Sequence, residues 1–272
     1  MPNFPLTREY LFSRLGTADS GEAVTITESE RRLRCEPSYG FVHLIWIITL
    51  ADGTRAASLP TGAAPKLKAF LRDALPAADI TSKAFIRRMK KYAKAEAKRL
   101  FGKKQFRKRR FRCYSDLMFA CDAATLTPEN PNIRPQRITE VLPCSEDIHL
   151  PAHLLPDGIV YGIIAEETIV SIAYAHQIGE YQHIVADIGV ETSKQQRKKG
   201  YARACVRAVA QQAIDGGGES LYKCSPENTA SIHTAQSADC QPYGKSLIFS
   251  VTPEKPLTLP LRNSLYYKPP QR

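Results

Sequence analysis

The chain has 272 residues, of which 43% are hydrophobic and 24% charged, and its formal net charge is +11. The length predicts one large domain or two ordinary ones, and the composition excludes collagen-like and wholly disordered chains. The longest apolar stretch near the start, residues 41–50, is too short to span a membrane, and residues 1–10 lack the pattern of a signal peptide, so we expect a cytoplasmic protein with no membrane partner.

The seven cysteines are widely scattered, at positions 35, 113, 121, 144, 205, 224 and 240. No two of them are separated by two residues, which is the spacing that zinc clusters and redox motifs require. We therefore expect reduced thiols, several of them in the core, and no metal site.

The first half of the chain has the pattern of a small α+β domain. Residues 41–50 form a mostly apolar run that includes His43, which predicts a strand with a turn after it at 51–53. A loop is predicted at 59–65 and a short helix at 66–75. Trp46, the only tryptophan, is expected in the core, and no motif with chemical meaning occurs in this half.

Most of the positive charge lies between Lys83 and Arg112, where fifteen residues are Lys or Arg and Glu96 alone is acidic. This segment carries +14, so the rest of the chain carries −3. From residue 85 to 101 apolar residues recur at spacings of three and four, which predicts an amphipathic helix with a cationic outer face, ended by Gly102. Residues 103–112 continue with basic residues and interleaved phenylalanines.

Two interpretations of the basic segment 83–112 stay open. Its charge density suits an anionic partner, such as RNA, DNA, a ribosomal surface or the phosphates of a cofactor. Alternatively, it is a solvated helix face, as most charge runs are. Because no helix-turn-helix, RNP-type strand or zinc finger is recognisable, any nucleic-acid binding is expected to be electrostatic and not sequence-reading.

Three prolines within nine residues, at 127–135, indicate a boundary between two domains. We predict an N-terminal domain of unknown role at 1–127, a proline-rich linker at 128–135 and a second domain at 136–272.

The second half predicts three antiparallel strands followed by helix, strand, helix and strand. The first three strands are expected at 158–165, 168–175 and 183–191, with Glu166-Glu167 as a tight turn. The helices are expected at about 200–214, ended by three glycines, and from Asn228 to about 237. The remaining strands are expected at 221–224 and 245–251. This order predicts an α+β fold with helices against a mixed sheet.

The segment 189–202 joins a predicted strand to a predicted helix. A helix start exposes unpaired backbone N–H groups and the positive end of the macrodipole, which together make an anion site. Gly200 lets the backbone approach a ligand closely, and the small side chain of Ala202 adds little bulk to the next turn. Three basic residues precede them, Arg197, Lys198 and Lys199. A pyrophosphate would suit this loop.

In this context the sequence resembles the GNAT (Gcn5-related) N-acetyltransferase superfamily, and most closely a poorly characterised bacterial branch with a Glu–Thr pair before the loop. The resemblance covers about residues 159–251. It is carried by Val190-Glu191-Thr192, by Arg197-x-x-Gly200-Tyr201-Ala202 and by Cys224-x-x-x-Asn228-x-x-Ser231. The expected fold class is therefore α+β: a GNAT-like mixed, mostly antiparallel sheet flanked by helices, preceded by a separate α+β N-terminal domain.

The resemblance implies acetyl-CoA as co-substrate, held in a slot between two strands. Strand 185–191 would separate from strand 221–224, and the pantetheine arm would pair with the backbone around Val190 and Thr192. Backbone N–H groups would hold the pyrophosphate, contributed by Arg197, Lys198, Lys199, Gly200, Tyr201 and Ala202.

Asn228 would hydrogen-bond the pantetheine arm, with Ser231 nearby. A simple N-cap is an equally good explanation of Asn228, because asparagine is a favoured residue there, and both roles can hold.

The resemblance also implies direct attack of an amine on the thioester, with a base that accepts the proton of the amine and a donor to the leaving thiolate. Glu191 and Asp187 are candidates for the base because they alternate onto one face of a strand, with Gly189 between them. We rank Glu191 first.

The expected acid is missing from its usual place. Many relatives have a tyrosine seven residues after the helix-opening asparagine, where this chain has Ala235, and the usual Gly-Phe four residues further on reads Asp239-Cys240. Tyr243 and His233 are the nearest replacements, and we favour Tyr243. Otherwise the chain would bind acyl-CoA without efficient catalysis.

The leading hypothesis is an acetyl-CoA-dependent N-acetyltransferase acting on an unidentified primary amine. The alternative is a nucleic-acid- or ribosome-associated binding protein in which the acyltransferase fold is vestigial. The loop 197–202 favours the enzyme, whereas the basic segment 83–112 favours the alternative.

Overall fold

The computed structural model describes residues 3–36, 40–127, 133–155, 158–176, 181 and 184–252. The helices are α1 (Pro5–Leu15), α2 (Pro65–Ala74), α3 (Lys83–Phe101), α4 (Lys103–Phe106), α5 (Tyr201–Asp215) and α6 (Thr229–Ser237). The strands are β1 (Val24–Glu28), β2 (Cys35–Glu36), β3 (Phe41–Leu50), β4 (Arg55–Leu59), β5 (Phe111–Cys121), β6 (Gln136–Arg137), β7 (Val160–Ala165), β8 (Thr168–His176), β9 (Val185–Thr192), β10 (Glu219–Cys224) and β11 (Gln241–Val251). The predicted α+β class is confirmed. Among the described helices, none has the length and apolar character needed to cross a membrane.

The chain divides into two compact units. Among the described residues, the first unit comprises Leu11–Leu117 and residues 244–252, and the second comprises residues 3–10 and Met118–Tyr243. Helix α1 and strands β5 and β11 contribute residues to both units. The division at 117/118 comes earlier than the linker predicted at 128–135, of which residues 128–132 lie outside the described residues.

The sheet of the first unit is built around β3. This strand pairs antiparallel with β4 on one edge and with β11 on the other, and β1 pairs parallel with β4. Nearly every residue of β3 is buried, which explains why its sequence is mostly apolar and does not alternate.

The last strand was expected in the second domain, but from Gly244 to Val251 it pairs with β3 of the first unit. Leu247, Phe249 and Val251 are fully buried in the core of the first unit, where β3 would otherwise have an unpaired edge.

The predicted basic helix is confirmed as α3. Ser82 caps its start by accepting a hydrogen bond from the N–H of Phe85 at 3.2 Å, and Gly102, with φ +76°, follows its end. A stripe of residues four apart is buried in the core of the first unit: Phe85, Met89, Ala93 and Ala97. The stripe leaves the cationic side of the helix facing solvent.

The sheet of the second unit contains the predicted β-meander. β6, β7, β8 and β9 pair antiparallel in that order, and β10 pairs parallel with β9. Glu166 and Glu167 form the two-residue turn between β7 and β8 with φ of 50° and 62°, as a type I′ hairpin requires. β9 begins at Val185, and residue 183 of the predicted strand lies outside the described residues. Helix α5 packs on β7, β8 and β9.

Candidate active site

Strands β9 and β10 are paired over only part of their length. The parallel pairing runs from Val185 and Glu219 to Ile188 and Tyr222. β9 nevertheless continues to Thr192, held on its other edge by Ser171 of β8. From residue 189 to 192, the β10-facing edge of β9 therefore has no strand partner among the described residues. This separation agrees with the slot that the resemblance implied, and it leaves backbone hydrogen-bonding groups open to an extended ligand.

The loop at the end of β9 turns sharply into α5. Lys198 and Gly200 have left-handed φ values of 64° and 81°, and Gly200 stands at the N-cap of α5. The carbonyl of Gly200 accepts the N–H of Ala204 at 3.0 Å. Within the described part of the chain, the structure shows no acceptor for the N–H groups of residues 197–202. Their positions at a helix start favour an anion.

A carboxylate is already bound at the beginning of this loop. The N–H of Lys194 donates to Oδ2 of Asp147 at 2.8 Å, and this hydrogen bond is the main cause of the lowered pKa of Asp147. Beyond it, three exposed cations continue the loop, Arg197, Lys198 and Lys199. Nζ of Lys199 donates to the Gln196 side chain at 2.7 Å. The loop therefore combines unpaired N–H groups with positive charge.

The position of Gly200 also leaves little space for a side chain. A Cβ atom at this position would lie 3.2 Å from Cδ1 of Ile133, which is closer than an ordinary van der Waals contact. Together with the positive φ, this contact makes glycine the residue best suited to the position.

Asn228 is the N-cap of α6, as one of its two predicted roles requires. Its Oδ1 accepts the N–H of Ser231 at 3.1 Å, and the side chain is exposed. The cap uses the oxygen of the amide and leaves its NH₂ group available to another acceptor.

Ser231 has a second partner, the hydroxyl of Tyr222. Burial raises the pKa of Tyr222 to about 12, and the hydrogen bond with Ser231 opposes this rise. A neutral tyrosine hydroxyl thus lies where the pairing of β10 ends, beside the start of α6. Sequence reasoning missed Tyr222, because its position in a short apolar strand predicts a core residue.

The two carboxylates of β9 have different environments. Asp187 is only 3% exposed, and its Oδ2 lies 2.5 Å from Nζ of Lys223. Glu191 is half-buried, and its Oε2 accepts the N–H of His149 at 2.9 Å. Of the two, Asp187 is neutralised in an ion pair, whereas Glu191 is held by a backbone group and is the more accessible.

Tyr174 lies close to Glu191. Burial raises the pKa of the Tyr174 hydroxyl, and the charge of Glu191 together with a hydrogen bond to it adds to the rise. In the register of β8 and β9, Tyr174 is opposite Gly189 and Ile172 is opposite Glu191, so all four share one face of the sheet. The approach of His149 to Glu191 was not predictable from the sequence, because His149 lies in an irregular segment.

The two residues considered as the acid, Tyr243 and His233, differ in their exposure. Tyr243 is 6% exposed, and its ring packs edge-on against Phe4 with 5.4 Å between the ring centroids. His233 is exposed on α6. A catalytic role for Tyr243 stays a prediction, and packing is the role that its described contact supports.

The residues that replace the usual tyrosine and Gly-Phe are structural. Ala235 is fully buried. Asp239, with φ of 65°, accepts hydrogen bonds from Thr127 and forms an ion pair with Arg207. Burial opposes ionisation of Asp239, but Thr127 and Arg207 outweigh it and the pKa of Asp239 is lowered. Sγ of Cys240 lies 3.9 Å from Sγ of Cys121.

A parallel strand pair that separates next to a cationic helix start defines a site for an elongated, partly anionic ligand. Comparison with known proteins finds a similar family. Residues 127–238 match the model of the acetyltransferase (GNAT) family. Over these residues the chain is similar to that family, and the partial resemblance noted in the sequence is confirmed. The match ends before β11, which pairs in the first unit.

Solved GNAT structures resemble parts of the chain. A GNAT-family protein from Novosphingobium aromaticivorans is 17% identical, with a TM-score of 0.42, over 52% of this chain and 66% of its own. An acetyltransferase from Colwellia psychrerythraea is 16% identical, with a TM-score of 0.41, over 52% and 57%. The microcin C7 self-immunity acetyltransferase, solved with acetyl-CoA and AMP, is 17% identical, with a TM-score of 0.27, over 34% and 59%.

The chain thus spans less than two thirds of each of these three proteins. Comparison with curated proteins finds no match.

Proposed function

We propose that the chain is an acetyl-CoA-dependent N-acetyltransferase whose acceptor is a primary amine. The observation that carries this proposal is the separation of β9 from β10 after Ile188, directly before the loop 197–202, within the residues that are similar to the GNAT family. This arrangement offers one ligand both an open strand edge and an anion site, and acetyl-CoA has an extended amide-containing arm and a pyrophosphate.

The cofactor would be held mainly by the backbone. The pantetheine arm would lie along residues 189–192 of β9 and hydrogen-bond like an added strand, around Val190 and Thr192. The N–H groups of residues 197–202 would bind the pyrophosphate. The side-chain NH₂ of Asn228 would donate to a carbonyl of the arm. None of these contacts needs a metal ion.

The chemical step would be direct transfer. The neutral amine attacks the thioester carbonyl carbon, a C–N bond forms, the C–S bond breaks, and coenzyme A leaves as a thiolate. Glu191 would accept the proton that the amine nitrogen loses, because it is the more accessible carboxylate of β9. A bound acceptor and thioester would gain further rate from their proximity.

The thiolate must be protonated as it leaves. The sequence favoured Tyr243 for this role, but the structure offers a second donor, Tyr222, whose hydroxyl is protonated at neutral pH and lies at the end of the paired part of β10. We propose Tyr222 over Tyr243, whose ring packs on Phe4. Tyr222→Phe should then lower kcat more than Tyr243→Phe, with acetyl-CoA binding kept in both variants.

The function is tested by binding first and by turnover second. Thermal unfolding with acetyl-CoA, against coenzyme A and dephospho-coenzyme A, measures binding to the folded chain. Release of free coenzyme A over a panel of primary amines then measures transfer. No thermal shift at millimolar acetyl-CoA would refute the proposal.

Binding without turnover on any amine would favour the vestigial alternative, a nucleic-acid- or ribosome-associated protein. One observation supports that alternative, namely the exposed cations of the segment 83–112.

A further inference from the structure

One side of the first unit is covered by cations. Of the fifteen basic residues in the segment 83–112, all but Arg109 and Arg112 are exposed. The segment folds as α3, α4 and a short turn that leads into β5. We call the exposed cations of this segment the basic face.

The cations of α3 are aligned. At about 100° per residue, six of them fall within an arc of about 100°, and they extend over about 22 Å of the helix axis. These six are Lys83, Arg87, Lys90, Lys91, Lys94 and Lys98. One strand of a nucleic-acid duplex has a phosphate about every 3.4 Å along its axis, or six to seven phosphates in about 22 Å. The length and charge of the row therefore suit the phosphates along one side of a duplex.

The basic face is held in place by the rest of the first unit. Behind the row, the apolar stripe of α3 is buried in the core. After α4, Arg109 anchors the turn, because its Nη1 donates to the carbonyl of Thr252 at 2.7 Å and its guanidinium lies 4.2 Å from the centre of the Phe101 ring. The one acid of the segment, Glu96, is buried and pairs with Arg99 at 2.5 Å. No carboxylate of the segment thus offsets the row itself.

This burial also argues against a membrane surface as the partner. A helix that lies on a membrane inserts its apolar side between the lipids. In α3 the apolar side is already buried in the core of the first unit, because Met89, Ala93 and Ala97 are 0% exposed. What the helix presents to solvent is mainly charge, with the small side chains of Ala84 and Ala95.

We propose that the basic face binds the phosphodiester backbone of double-helical nucleic acid without reading its sequence. Lys and Arg bind phosphates, whereas base reading requires a reading element in a groove, which this segment does not offer in a recognisable form. Duplex DNA and duplex RNA share this chemistry, so both can serve as ligands. The proposal does not rest on acetyl transfer, and its failure would leave the acetyl-CoA site unaffected.

The test is fluorescence anisotropy of the full chain with a labelled duplex over a salt series. The variant is Arg87→Gln, Lys90→Gln and Lys91→Gln together, all three exposed. The logarithm of the binding constant falls by about 0.9 per phosphate contact per tenfold rise in salt, so the slope should become shallower by about 2.7 in the variant. The affinity at about 0.1 M salt should fall roughly tenfold or more.

A matched control removes the same charge elsewhere, by Arg34→Gln, Lys194→Gln and Arg203→Gln, which are also exposed. The control should keep the wild-type slope. If both triple variants lose affinity equally, or if the duplex does not bind at about 50 mM salt, the proposal is wrong. Tighter binding to single strands, or to anionic phospholipid vesicles, would also overturn it. Should the triple variant fold poorly, Lys91→Gln alone should still make the slope shallower by about 0.9.

Discussion

Replacing Gly200 by glutamate should abolish the stabilisation by acetyl-CoA. The change has an intrinsic cost, because a side chain at a left-handed φ of 81° is destabilised by about 1–2 kcal/mol and its Cβ meets Ile133 at 3.2 Å. It also places a carboxylate against the proposed pyrophosphate site. At a hundred times its dissociation constant, acetyl-CoA should stabilise the wild type by about 2.7 kcal/mol. For a domain of this size that corresponds to a rise in Tm of about 5–10 °C.

Gly217→Glu is the control variant that separates the loss of acetyl-CoA binding in Gly200→Glu from the effect of backbone strain alone. Gly217 also has a left-handed φ, of 80°, and it follows the other end of α5, where a Cβ atom would meet no other atom within 4 Å. Both variants should lower Tm without ligand, but only Gly217→Glu should keep the shift with acetyl-CoA, in differential scanning fluorimetry. A full shift in Gly200→Glu, or an equal loss in both variants, would show that the cofactor does not use this loop.

Three further predictions concern the carboxylates of the second unit. Glu191→Gln should lower kcat by about 10²–10⁴-fold and leave the KM for acetyl-CoA unchanged, whereas Glu167→Gln in the exposed turn should change neither. Lys223→Met should lower the free energy of unfolding in urea by about 3 kcal/mol, because it leaves Asp187 buried without its counter-ion. The double variant that adds Asp187→Asn should recover much of this stability. Losses of stability that add up in the double variant would contradict the ion pair. Because the pKa of Asp239 is lowered in the folded state, its contribution to stability is complete above about pH 4 and is lost as the pH falls through the lower folded-state pKa. Asp239→Asn should therefore weaken the acid dependence of unfolding in that range, and an unchanged acid profile would contradict the role of Asp239.

The elements that the sequence predicts well are those with local signals. The spacing of apolar residues and a following glycine define α3, and the two-residue turn at Glu166-Glu167 defines a hairpin. Such signals are missing for α1, β1 and β5. The case of β5 is clear, because this strand begins inside the basic run and its first seven residues are half-buried. The partner of β11 is equally hidden, because β11 lies far along the chain from β3 and pairing at that distance leaves no local pattern.

The same distinction applies to the site. The start of α5 after Gly200 was predictable, because a helix start depends on consecutive residues, and the anion site there stays a prediction. The partners of its neighbours were not, because the contacts of Glu191 with His149 and of Asp239 with Thr127 join residues 42 and 112 positions apart.

Asp187 and Glu191 show how the fold distinguishes two carboxylates that the sequence leaves equivalent. Both lie on one face of β9, four residues apart. At Asp187, β10 is still paired with β9. This strand supplies Lys223, whose positive charge forms an ion pair with the carboxylate. At Glu191, β10 has separated, so no cation of that strand is paired alongside it and the side chain stays partly accessible. The end of the strand pairing after Ile188 thus opens the proposed cofactor slot and, by the same change, leaves the proposed base accessible.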